Sequence, residues 1–316
     1  MSHPAFCGVS RQHLGDLLEE LQPKWRARCE GGRHARRGGA RRRHPGAGPK
    51  YQLTFHDRLV ITLVHLRTGL TQEALAVAYD VGSSTISRTI GEIRPVLADR
   101  GFAVPDRPGL RLRTLEDVFA YAAAEGIDLR LDGAETQVRR PKAGRPGRQA
   151  FVSGKRKQNT IKTTTISDHQ GRMLFSGVQR PGRMHDQTAL RTEGIAEQFR
   201  QHPQVKAKVD SGYRGLAGEF PNQVTAPPKK LSEDACEGEV RAWREARRRQ
   251  SSARICVEHT NAELRQWAPM RRFTGRRDTY DQTHRAIAAL ISDRAAKRPT
   301  RREHSTELVL ADDLTH

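Results

Sequence analysis

The sequence predicts an α/β chain in which a short helical segment precedes a mixed-sheet domain closed by helices. Three observations predict it. Between residues 54 and 97 apolar side chains recur at helical spacing behind capping residues. From 127 to 227, short runs rich in β-branched residues alternate with turn formers. From 232 to 267 helical spacing returns in a strongly charged stretch.

At 316 residues the chain is long enough for about two domains. The composition divides it into a basic, partly flexible region (1–50), a helix-turn-helix segment (51–105), an α/β domain (106–300) and a tail (301–316). In the first region, residues 26–50 hold eight Arg among Gly, Ala and Pro without apolar period, which predicts a flexible basic arm. Thr54 can cap the next helix with Asp57 in its first turn, and Leu59, Leu63 and Leu66 mark one face. Thr71 can then cap a short helix carrying Ala74, Leu75 and Ala78 inward. Gly82 stands in a turn, and Ser83 or Ser84 can cap a second helix with Ile86 and Ile90 inward. In a DNA-binding helix-turn-helix this layout exposes Ser84, Thr85, Ser87 and Arg88 at the start of the second helix, the part that enters the major groove. Short helical hairpins also occur as plain structural units, and the basic surroundings favour DNA contact here.

DRPGLR (106–111) is rich in breakers and predicts a hinge, and TLEDVFAYAAAEG (114–126) reads as one amphipathic helix. Strands are expected at 127–133, 159–168, 172–178, 205–210 and 223–227, the second and third forming an antiparallel hairpin. Helices are expected at 187–199, 232–249 and 252–267.

Composition narrows the function. The formal charge is +20, and Arg outnumbers Lys by 45 to 11, which favours a polyanionic partner that accepts forked donors. Cys7, Cys29, Cys236 and Cys256 form no CxxC pair, which argues against a zinc knuckle or disulfide framework and suits a reducing cytoplasm. The apolar run LVITLVHL (59–66) is too short to span a bilayer, and MSHPAFCGVS lacks an apolar signal core. A soluble cytoplasmic protein associated with nucleic acid is expected.

Asp132 ends LRLD before a Gly, and Asp210 ends KAKVD before Ser-Gly. Both stand at the carboxyl end of a predicted strand, where open α/β sheets place ligands. Taken singly, each also reads as a turn former. Glu258 shares one helical face with Arg254 and Arg265, a pattern equally open to a surface ion-pair stripe.

In combination, LDG, then HD (185–186), DSGYRG and VEHTNAELRQW resemble the DDE transposases of bacterial insertion sequences. More narrowly they are similar to the insertion-sequence family numbered five, related to the Harbinger elements. The resemblance runs from the helix-turn-helix near residue 54 to SDRAA (292–296). It implies a ribonuclease-H-like catalytic domain with Asp132, Asp210 and Glu258 as catalytic residues and metal ligands. Arg265 stands seven positions after the Glu, where the family often has Lys. The implied cofactor is a divalent metal, Mg²⁺ or Mn²⁺, which suits hard carboxylate oxygens. The implied activity is metal-dependent DNA cleavage and strand transfer at the ends of the protein's own element. Its partners would be double-stranded DNA, both terminal inverted repeats and target, with a homo-oligomer assembled on it. A catalytically silent DNA-binding regulator and a simple metal nuclease are the alternatives. Asp186 also matches the family pattern but stands where it can cap the helix from Gln187, and His185 reads as structural. Lys155, Arg156 and Lys157 precede the second strand, where they could grip phosphates or form a solvated charge run.

Overall fold

The computed structural model describes residues 1–40, 51–140 and 147–298, with the side chains of 252–257 left out of the description. Residues 41–50, in the predicted basic arm, and the whole of the predicted tail lie outside the described residues.

The N-terminal region departs from expectation. After α1 (Pro4–Cys7), residues Arg11–Arg37 form one long helix, α2, so the predicted arm is helical as far as residue 37. Leu14, Leu17, Leu21 and Trp25 recur at steps of three and four and are all buried, which anchors the helix. Arg and Ala propagate it beyond that anchor, and His34, Arg36 and Arg37 face the negative end of its dipole.

α3 (Phe55–Thr68) is capped by Thr54 as expected, Asp57 also bonding back to make a capping box, but the helix is buried almost all round rather than along one face. α4 (Gln72–Ala78) and α5 (Ser83–Ala98) form the helix-turn-helix. Thr71 caps α4 as expected. Leu75 is buried, whereas Ala74 and Ala78 are exposed because Ala76 takes the inward position beside Leu75. Neither Ser83 nor Ser84 caps α5; its cap residue is Gly82, without a side-chain bond. Ile86 and Ile90 are buried as expected.

The predicted hinge is instead the turn of a small hairpin, β1 (Phe102–Ala103) pairing antiparallel with β2 (Arg111–Leu112). Gly109 and the non-glycine Asp106 take positive φ in that turn. Beyond α6 (Leu115–Glu125) come β3 (Leu129–Val138), β4 (Thr160–Ser167), β5 (Met173–Ser176) and β6 (Arg180–Pro181). The expected 187–199 helix is two, α7 (Asp186–Glu193) and α8 (Ile195–Gln201), because Gly194 breaks it in a left-handed conformation. Then come β7 (Ala207–Val209), α9 (Arg214–Glu219) and β8 (Val224–Thr225). The two expected charged helices are one helix, α10 (Glu237–Arg265). α11 (Ala268–Arg271), β9 (Arg272–Phe273) and α12 (Tyr280–Ala296) complete the chain, so the domain closes on α12 and not near residue 267.

The main sheet runs β5-β4-β3-β7-β8. β3, β4 and β5 are antiparallel, and β7 and β8 join in parallel, giving the mixed sheet expected of a ribonuclease-H-like domain. β4 covers one edge of β3 along residues 130–137. The opposite edge is shared, β7 pairing with Leu129–Leu131 and β9 with Gln137–Val138. Residues 132–136 of β3 therefore face a gap between two strands. α12 packs against both α5 and β5, so helical segment and sheet share one apolar core. Among the described residues no helix is long and apolar enough to cross a membrane.

Candidate active site

The gap in the sheet is where the acids meet. Leu131 and Val209 are the last paired residues of β3 and β7, so Asp132 and Asp210 follow them on adjacent parallel strands, about 5 Å apart in backbone spacing. Asp132 is thus not at a strand end as expected, since β3 continues to Val138; the strand that ends there is its neighbour β7. α10 lies across β3 and brings Glu258, Asn261 and Arg265 to the same place. The resulting cavity of about 450 Å³ is lined by Asp132, Asp186, Asp210 and Glu258, with Glu135, Lys155, Arg156, Lys162, Tyr213, Asn261 and Arg265 around them.

Local contacts orient the acids. Asn261 Nδ2 donates to Asp132 Oδ2 at 2.7 Å, and the other oxygen of Asp132 accepts from the Gly133 N–H at 2.9 Å. Asp210 Oδ1 accepts from the Ser211 N–H at 2.6 Å. Asp186 is not the cap of α7: His185 is, through its Nδ1, and this frees Asp186 to turn into the cavity. There Lys162 Nζ donates to Asp186 Oδ1 at 2.8 Å and lies 3.6 Å from Glu135.

Two glycines permit this crowding. A Cβ on Gly133 would stand 2.6 Å from the Tyr213 hydroxyl, and one on Gly212 would stand 2.7 Å from Asp186 Oδ2. Burial pushes the Tyr213 phenol well above its ordinary range, and the charges of Asp186 and Asp132 push it further, so it stays a neutral donor.

Five carboxylates and four cationic side chains line the cavity, so neither sign dominates it. The acids form a hard-oxygen set that fits Mg²⁺ or Mn²⁺ in donor chemistry. Among the described residues no three Asp, Glu, His or Cys side chains are already drawn into a cage for an ion. The acids share a pocket rather than a closed shell.

Of the other predicted site residues, Lys155 and Arg156 reach the cavity wall, and Arg156 Nη1 donates to the Glu135 carbonyl at 3.3 Å. Lys157 is exposed outside it, at positive φ. Arg254 lies on α10 in the stretch whose side chains are outside the described residues, as does Cys256. Ser84, Ser87 and Arg88 are exposed on α5 and Thr85 is half-buried, and none of the four lines the cavity. Sequence reasoning missed Glu135, Lys162, Tyr213 and Asn261. Asn261 stands one helical turn from Glu258, and Lys162 is the lone charge in a Thr- and Ile-rich strand opposite Glu135, so both left a signal.

Residues 131–292 match a family model described as DDE superfamily endonuclease. Residues 51–103 match one described as the helix-turn-helix of DDE superfamily endonuclease. No curated protein matches the sequence. Among solved structures, the Mos1 transposase paired-end complex with left transposon end has 12% identity and a TM-score of 0.20, covering 70% of this chain and 82% of that one. The Mos1 mariner paired end complex with Mn has 12% identity and a TM-score of 0.19, covering 75% and 86%. Likeness at that level adds nothing to the case. The endonuclease match spans more than half of the chain, contains all five acids of the cavity and follows a matched helix-turn-helix segment. The chain therefore belongs to the DDE superfamily of endonucleases, the superfamily of the DDE transposases.

Proposed function

We propose that this protein is a transposase that cleaves DNA at the ends of its own insertion sequence and joins those ends to a target, in the manner of the insertion-sequence family numbered five. The observation that carries the reading is the parallel register of Leu131 with Val209, which supports Asp132 and Asp210 as neighbours at the mouth of a cavity that Glu258 also lines. Asp132, Asp210 and Glu258 are the proposed catalytic and metal-binding residues, and Asp186 is a candidate fourth.

Residues 51–105 would read the terminal inverted repeats through Ser84, Thr85, Ser87 and Arg88 of α5, and 106–300 would carry the chemistry. Lys155, Arg156, Arg254 and Arg265 would hold the phosphodiester by charge and forked donors. Asn261 would keep the Asp132 carboxylate turned toward the cavity, and Lys162 would offset the charge of Asp186 and Glu135. A divalent cation held by these acids would supply charge stabilisation on the phosphoryl oxygens and an acidified water. Water, and then a DNA 3′-hydroxyl, would be the nucleophiles, so no Ser or Cys nucleophile is needed. The protein would work as a homo-oligomer on DNA, in the cytoplasm with the nucleoid.

Asp210→Asn tests this. It keeps size and hydrogen bonding but removes a charge from a crowded acidic site. Cleavage of a labelled element end in Mg²⁺ should fall more than about 100-fold, beyond the roughly 10–100-fold typical of losing a residue that only supports a ligand. Binding in chelator should persist, and the metal-free melting temperature should be equal or higher. Undiminished cleavage would remove Asp210 from the mechanism. A nicked product with a free 3′-end and no joined strand, made by the wild type, would favour the simple nuclease.

A further inference from the structure

α10 runs unbroken for 29 residues, and its first half contributes nothing to the core: no residue from 237 to 251 is buried. It is tied down by single bonds, from Trp243 Nε1 to the Lys229 carbonyl at 2.7 Å and from Gln250 Nε2 to the Val209 carbonyl at 3.4 Å. A helix that is polar all round needs local ion pairs or a partner to justify its length. Arg249 and Glu245 make one such pair at 3.2 Å. Arg244 and Arg247 have no carboxylate partner among the described residues, and Arg247 lies over the Trp243 ring instead. Five arginines fall between 241 and 249 against one acid, so what this stretch fits is a polyanion.

The phase of the helix says where that polyanion runs. At about 100° per residue, Arg244, Arg247, Glu258 and Arg265 fall within a sector of about 60°. The two outlying arginines are thus on the face that enters the active-site cavity. At 1.5 Å rise per residue they stand about 16 and 21 Å from Glu258 along the axis, which is about five to six base pairs of B-DNA. The spacing between them, one helical turn, is close to that of neighbouring phosphates on one strand.

We propose that the first half of α10 is a phosphate-binding rail for duplex DNA, gripping it through Arg244 and Arg247 some five to six base pairs from the bond in the cavity. The proposal rests on the reading of that cavity as the site of DNA cleavage, but its test does not use cleavage. The fused helix makes the rail rigid with Glu258, so a duplex on it is aimed at the acids.

The experiment compares full-length wild type with R244Q/R247Q and R244K/R247K, binding a fluorescent duplex several helical turns long, in chelator, over a salt series. The Gln pair should flatten the slope of log affinity against log salt by about two, at about 0.9 for each phosphate no longer neutralised. The Lys pair keeps both charges and should keep most of the slope. An unchanged slope in the Gln pair overturns the proposal. Equal flattening by both pairs also overturns it, since loss of helix rather than of charge would then be the cause. So does a Gln pair that binds DNA normally but changes oligomeric state, which would assign the surface to a second copy of the chain. Because no metal is present, failure of the catalytic reading appears separately, as an Asp210→Asn variant that still cuts.

Discussion

Asp293 and Asp210 are aspartates of one fold in opposite surroundings. Asp293, on α12, is 5% exposed and accepts from His13 Nε2 at 2.9 Å, from Arg100 Nη1 at 2.5 Å and from Arg111. Burial pushes its carboxyl upward, but the His13 bond and the charges of Arg100 and Arg111 more than offset that and hold it well below its usual range. Glu20 completes this cluster by bonding Arg100, which ties α2, the end of α5, β2 and α12 together. Asp210 sits instead at the mouth of a cavity beside other acids, oriented by a backbone N–H. The contrast separates acids that hold the fold from acids kept available. The first are enclosed by matched guanidinium groups, while the second stand together along one cavity wall, an arrangement whose repulsion the proposed function would put to use.

The comparison breaks most visibly at its buried end. Asp293→Ala should cost about 3–5 kcal/mol, since it leaves Arg100 and Arg111 without their shared acid, and urea unfolding measures this. Unchanged stability would show that the network is not structural. Asp132→Asn, at the exposed end, should leave the urea midpoint within the error of wild type.

Gly212→Ala sharpens the other side. Its Cβ would meet Asp186 Oδ2 at 2.7 Å, so that carboxylate would have to turn away from the position in which Lys162 holds it. Cleavage should drop roughly 10–100-fold through misplacement of Asp186, with the thermal melt nearly unmoved. A fall in the melt matching the fall in cleavage would place Asp186 among the structural acids.

The smallest effect is in acid. Both Asp293 and Glu20 are lowered in the folded chain. For Glu20, burial pushes upward, but the bond and charge of Arg100, helped by Lys24, prevail and bring it to about 2. Groups depressed on folding add stability that is whole above the ordinary carboxylate value of about 4 and fades as pH falls below it. Stability should therefore decline between about pH 4 and pH 2, and Glu20→Gln should make that decline shallower. The same dependence in wild type and variant would detach Glu20 from the network.

Much of this was legible in residue order. Asp210 was legible as a strand-end acid and Glu258 as a helix-face acid; Asp132 was read as ending a strand that instead runs on to Val138, and all three line one cavity. Asp186 was misread because His185 and Asp186 both suit a helix start, and local chemistry cannot say which of two adjacent caps wins. α2 was hidden by its Arg and Gly content, although the period of Leu14, Leu17, Leu21 and Trp25 was present just upstream. The two-residue strands β6 and β9 carry no pattern of their own; they are strands because β4 and β3 offer them an edge. The Gly133 and Gly212 contacts join segments far apart in the chain, and no short-range signal announces them.

α12 has a consequence for how such a chain can be rearranged. One helix, near the end of the described chain, is built to fit α5 of the helix-turn-helix on one side and β5 of the main sheet on the other. Its buried Ala286, Ile287, Leu290 and Ile291 serve a joint core. On the proposed function, grafting a foreign reading head in place of α5 would leave that helix with a mismatched surface, so recognition and chemistry would be inherited as a pair, and a change of target sequence would come from point substitutions on the exposed start of α5.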